Sequence, residues 1–83
     1  MFRITVDNIY IEDSNARKAF SGRCENLDEF TGYLRDEKGN VFKANRFIHI
    51  TEKFDSTYEL FSVSNDIDIS GIEGQTLIGC DQL

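Results

Sequence analysis

The stretch Phe30-Thr31-Gly32-Tyr33-Leu34-Arg35-Asp36-Glu37-Lys38-Gly39-Asn40-Val41-Phe42-Lys43-Ala44-Asn45 alternates apolar and polar side chains on both sides of a turn-forming segment. With Glu37, Lys38 and Gly39 as a three-residue loop and Gly39 in the left-handed conformation, Asp36 pairs with Asn40 and Leu34 falls opposite Phe42. That register puts Phe30, Gly32, Leu34, Phe42 and Ala44 on one face. Thr31, Tyr33, Arg35, Lys43 and Asn45 take the other, with Val41 the lone apolar residue among them. Turn chemistry and pattern agree, which predicts a β-hairpin. A helix over 27–35, capped by Asn26 with Leu27, Phe30 and Leu34 on one side, is the rival, weakened by Thr31 and Gly32 in its middle.

On the N-terminal side, Phe2-Arg3-Ile4-Thr5-Val6 has the period-two alternation of a strand with one face on a core, and Ile9-Tyr10-Ile11 resumes it after Asp7-Asn8, which reads as a tight turn or a bulge. Asn15-Ala16-Arg17-Lys18-Ala19-Phe20, with Asp13 or Ser14 as N-cap, predicts one short helix near residues 14–20 that ends at Ser21-Gly22. On the C-terminal side, Phe47-Ile48-His49-Ile50-Thr51 and Tyr58-Glu59-Leu60-Phe61-Ser62-Val63 read as strands. So do Ile67 and Ile69 with their alternating aspartates, and Thr76-Leu77-Ile78-Gly79-Cys80, with Gly71 and Gly74 in the connection between them. Six or seven short strands about ten residues apart predict a mainly β domain, a strongly bent antiparallel sheet or a small barrel.

Composition supports this reading. A chain of 83 residues makes a single domain over 1–83 with a small core. Nine Ile, seven Phe and three Tyr favour a pleated surface over a helix. Cys24 and Cys80 stand far apart, outside any CxxC or Cys/His spacing, and are expected to be reduced thiols. With no basic leader before an apolar run and no apolar segment near the ~20 residues that span a bilayer, a soluble cytoplasmic protein without membrane contact is expected.

Few residues point to catalysis. His49 is the only histidine, and no nucleophile is placed beside it by a local signature. The glycines never approach a phosphate-binding loop. Asp66-Ile67-Asp68-Ile69-Ser70-Gly71 matches the first half of a calcium loop, but Leu77 stands where the bidentate Glu should complete the shell. The expectation is therefore a non-enzyme with no cofactor and no metal.

Charge carries the rest. The net charge is -6, and no Lys or Arg follows Lys53, while Asp55, Glu59, Asp66, Asp68, Glu73 and Asp81 do. Alternate outward carboxylates at Asp55, Glu59, Asp66, Asp68 and Glu73 would form a negative strip suited to a basic surface on a protein partner, steering encounter and fixing register. Such a partner fits the class of nucleic-acid-handling enzymes or complexes. Small size, acidity and an Ile-, Asn- and Phe-rich composition with no Pro or Trp suit an inhibitor or adaptor encoded by a virus or mobile element. A second reading takes Tyr33, Arg35, Lys43, Arg46 and Phe47 as the cation and aromatic set of a small nucleic-acid-binding barrel, although a pI near 4.6 argues against it. A third is a structural subunit that pairs with copies of itself.

Overall fold

The computed structural model of the chain describes residues 1–12, 17–46 and 58–81. Among them, six strands form: β1 (Arg3–Glu12), β2 (Arg17–Glu25), β3 (Tyr33–Arg35), β4 (Val41–Arg46), β5 (Tyr58–Val63) and β6 (Thr76–Gly79). All pairings are antiparallel, and the order β1-β2-β5-β4-β3-β6 returns to β1, so the sheet closes into a barrel. The expected strand at Phe47–Thr51 and the loop through Asp55 lie outside the described residues.

The hairpin forms in the register its sequence dictates. Leu34 faces Phe42, Gly39 has φ 92°, and the Asp36 N–H donates to the Asn40 carbonyl at 2.9 Å. Asp36 Oδ1 also accepts the N–H groups of Lys38 at 2.9 Å and Asn40 at 2.8 Å, so one side chain satisfies the turn backbone. Burial pushes the Asp36 carboxyl up, but these N–H donors and the Asn40 side-chain amide more than offset it and hold the group below its ordinary value. Strand pairing starts at Tyr33 instead of Phe30, because Gly32 has φ 102°. The rival helix is reduced to a single 3₁₀ turn at Leu27–Glu29.

Asp7 is the bulge. Val6 lies opposite Gly22 and Asn8 opposite Ser21, with Asp7 left over between them. Strict alternation from Ile4 and Val6 would turn Ile9 outward; the extra residue brings it opposite Phe20 on the core side. Gly22 makes room for this kink, since a Cβ there would sit 2.1 Å from the Thr5 carbonyl oxygen.

Two expectations are corrected. Of the helix expected near residues 14–20, the cap and residues 14–16 lie outside the described residues, and residues 17–20 belong to β2, where Lys18, Ala19 and Phe20 each pair with β1 on one side and β5 on the other. Two turns of isolated helix offer less, since nucleation is costly and the segment has too few residues to repay it. Ile67 and Ile69 are not in a strand either. They lie in the turn-rich connection between β5 and β6, where the N–H groups of Ile67, Ile72 and Gln75 bond to the carbonyls of Ser64, Ile69 and Ile72. Alternation arises there because Ile69 is buried between exposed neighbours.

The interior is aromatic. Phe20 and Phe61 stack at 5.6 Å, and Phe61 also meets Phe2 at 5.9 Å and Phe30 at 5.1 Å. Each fully buried ring stabilises the fold by roughly 1.5–3 kcal/mol in transfer terms. Ile69 and Ile72 add to this core from the β5–β6 connection, which is tied to β1 by bonds of 2.9 Å from the Val6 N–H to the Gln75 carbonyl and from the Gly74 N–H to the Val6 carbonyl. Among the described residues no helix is long and apolar enough to cross a membrane.

Candidate functional site

Period two in β5 places Glu59 in phase with Phe61 and Val63, and all three are buried. Period two in β4 likewise places Arg46 in phase with Phe42 and Ala44. The two charges meet there, with Arg46 Nε donating to Glu59 Oε1. Glu59 is 3% exposed, whereas the Arg46 side chain keeps 34% of its surface. Glu59 Oε2 is buried and has no hydrogen-bond partner among the described residues. Cys24, also inside, has its thiol pushed up to about 12, first by burial and then by the Glu59 charge, with Arg46 opposing. A thiol held so high carries almost no thiolate at neutral pH.

Glu59 therefore does not belong to an outward acidic strip. Its alternation with Tyr58 and Leu60 was ambiguous, because both faces of the strand carry apolar residues. The signal that finds it is paired: an acid on one strand and a base on the next, each in phase with its own strand's core residues.

Asp66, Asp68 and Glu73 are exposed on the β5–β6 connection; Asp55 lies outside the described residues. The Asp68 carboxyl is held below its ordinary value by the Ser70 N–H at 3.0 Å and then by the Ser70 hydroxyl at 2.7 Å. Asp66 accepts a hydrogen bond from the Ser64 hydroxyl. Lys18 Nζ donates to the Ile67 carbonyl at 2.7 Å, so the fold brings a base from β2 to the segment that has none of its own. The tip of the β3–β4 hairpin docks here too, through the Glu37 N–H on Gln75 Oε1 at 3.1 Å and the Thr76 N–H on Glu37 Oε2 at 2.9 Å. Among the described residues no group of three or more His, Cys, Asp or Glu side chains is placed to hold a metal ion.

The hairpin set divides. Tyr33 and Lys43 lie opposite one another, and Arg35 is opposite Val41; Arg35 and Lys43 are exposed and Tyr33 is half-buried. Arg46, part-exposed, is engaged by Glu59, and Phe47 lies outside the described residues. In their place the barrel supplies Arg3 and Arg23, exposed on β1 and β2. Arg3 and Arg35 both lie opposite Ile78, one on either side of β6. Sequence reasoning missed this alignment because β6 brings together strands more than thirty residues apart. On another part of the wall, Tyr10 and Tyr58 place their hydroxyls 3.4 and 3.0 Å from the buried Ser21 hydroxyl.

Comparison with protein-family models, with curated proteins and with solved structures yields no match for this chain.

Proposed function

We propose that this chain is a small non-catalytic binding protein that occupies a basic surface of a protein partner, and that the β5–β6 connection is where the partner is met. One arrangement supports the reading: Asp66, Asp68 and Glu73 are exposed on a connection whose Ile69 and Ile72 are buried in the core. The carboxylates thus sit on backbone already anchored, and two of them are oriented by serine hydroxyls. Charges fixed before association lose little freedom on binding, and a same-sign group speeds encounter with a basic partner. A nucleic-acid-handling enzyme or complex fits as the partner class, because a protein filling its basic cleft would act as an inhibitor or adaptor.

The test measures association with purified nucleases, polymerases and nucleoprotein effectors at ~50 and ~200 mM salt. A partner is expected whose affinity falls about tenfold across that range. The Asp66→Asn/Asp68→Asn/Glu73→Gln variant, folded by circular dichroism, should lose a similar factor. A partner held equally well by parent and triple variant, or indifferent to salt, overturns the reading.

A further inference from the structure

β1 is longer than closure of the barrel requires. On one side all of its residues but Asp7 pair with β2, whereas on the other the ladder with β6 ends at Thr5. Val6 is the last to bond there, through its N–H to the Gln75 carbonyl and its carbonyl from the Gly74 N–H. From Asn8 to Glu12 no strand pairs with that side among the described residues. Alternation identifies the backbone groups left over. In an antiparallel ladder the N–H and C=O of a residue point to the same neighbour, and residues on one face share that direction. Val6 faces the core and points its groups away from β2; Ile9, returned to the core side by the Asp7 bulge, and Ile11, two residues on, do the same. Tyr10 and Ile11 are 50% and 47% exposed on opposite faces of this stretch, so the edge is open from both sides.

An edge with unpaired main-chain groups and exposed apolar side chains is a template for an added strand. Charge selects the occupant. Glu73 precedes the Gly74 at which pairing stops, and Asp66 and Asp68 flank Ile67, whose carbonyl accepts from Nζ of Lys18, the residue opposite Ile11. With the exposed Asp7, these acids bracket the edge at both ends. Lys18 is the base among them, while Glu12 and Arg17, opposite one another, add no net charge. A second copy would bring a like set of acids against this one, in chains that each carry -6. A basic segment would meet opposite charge.

We propose that β1 takes up, along Ile9 to Ile11, an extended segment of a partner protein that alternates apolar residues with Lys or Arg. For the partner's charge this rests on the function proposed above, to which it adds how the partner's chain is held. Main-chain hydrogen bonds to Ile9 and Ile11 supply affinity, and the surrounding acids select a basic sequence. The segment's apolar residues lie beside Ile9 and Ile11, continuing their face of the sheet.

The experiment is a fluorescence-anisotropy titration of a labelled peptide of about ten residues, alternating Val and Lys, with the full chain at ~50 mM salt. Two further peptides, N-methylated at every Val or at every Lys, each lose the N–H donors of one edge and keep the charge. Saturable binding of the unmethylated peptide is expected, and the methylated pair should differ by at least about tenfold, because only one peptide edge meets β1. Ile11→Pro removes an N–H that no bond within the barrel uses, so it should fold, by circular dichroism, and bind at least about tenfold more weakly. Ile11→Ala keeps that N–H and should stay within about threefold of the parent. Absence of saturable binding overturns the proposal, as does a methylated pair that differs by less than about tenfold or parent-like binding by Ile11→Pro. Binding that survives Ile11→Pro but falls in Asp66→Asn/Asp68→Asn/Glu73→Gln overturns strand addition and leaves the acidic connection as the contact. The reverse pattern keeps strand addition and overturns the role given to those acids. Self-association abolished by Ile11→Pro, in a chain that leaves the peptide unbound, overturns the proposal and assigns the edge to a second copy.

Discussion

Past the end of β5 the barrel interior is filled by Ile69 and Ile72 from a connection hydrogen-bonded to β1, whereas beside the start of β5 it buries the Glu59 carboxylate, near the Cys24 thiol and against the part-exposed guanidinium of Arg46. The apolar region gains stability in proportion to the area it hides from water. The ionic region gains little net, because desolvating the Glu59 carboxylate offsets its attraction to Arg46, but it is intolerant of losing that cation. Two regions of one small core thus differ in how they fail. Removing atoms from the first leaves a cavity, and removing Arg46 from the second leaves Glu59 buried alone.

Three changes probe this contrast, taken from the largest expected effect downward. Gly22→Ala acts between the two regions, where Gly22 lies opposite both Val6 and Glu59. Its Cβ would meet backbone atoms of Thr5 that no side-chain rotation can move, so a loss of more than about 4 kcal/mol, seen as absence of a cooperative thermal transition, is expected. A transition within a few degrees of the parent would mean that the bulge can relax.

Arg46→Met should destabilise by about 3–5 kcal/mol in urea titration, because it strands Glu59. The double variant Arg46→Met/Glu59→Leu should recover most of that loss, while Ile72→Ala, at about 2–5 kcal/mol, has no partner substitution that rescues it. Equal losses for Arg46→Met in the presence and absence of Glu59→Leu would show that Arg46 acts by packing alone.

Cys24 gives the smallest signal. Its thiol is raised from 9.0 to about 12 in the folded chain, so above pH 9 the unfolded chain releases a proton that the folded chain retains. Stability should therefore fall as pH rises from about 9 towards 12, and Cys24→Ala should flatten that slope. Alkylation at neutral pH is a companion measurement: Cys80, only half-buried, should react while Cys24 stays protected until the chain unfolds.

The hairpin was legible in the sequence because everything that fixes it is local. Gly39, the Asp36 side chain and the alternation around Leu34 and Phe42 lie within a dozen residues and all require one register. β2 was not, since Lys18 to Phe20 become a strand only when β1 and β5 arrive on either side. The bulge at Asp7 was visible as an interruption, but its geometry depends on Gly22 fifteen residues away. At the candidate sites, Asp66, Asp68 and Glu73 were read correctly as exposed and Glu59 was not. An acid alternating with apolar residues on both faces carries no direction until Arg46 is known to stand beside it. The placing of Arg3 and Arg35 on either side of Ile78 was hidden for the same reason, because only β6 brings β1 and β3 together.

The seam at β6 also bears on how the chain reaches this state. β1 begins at Arg3, yet the strand that seals it begins at Thr76, and β6 joins β3 through only two residue pairs. Until that strand docks, β1 and β3 each present an open edge, and the loop to be closed spans nearly the whole sequence. Sealing is therefore expected to be the late, slow event of folding. The half-closed sheet that precedes it is the species most exposed to strand exchange between molecules, so refolding yield should depend more on protein concentration than the stability of the finished barrel would suggest.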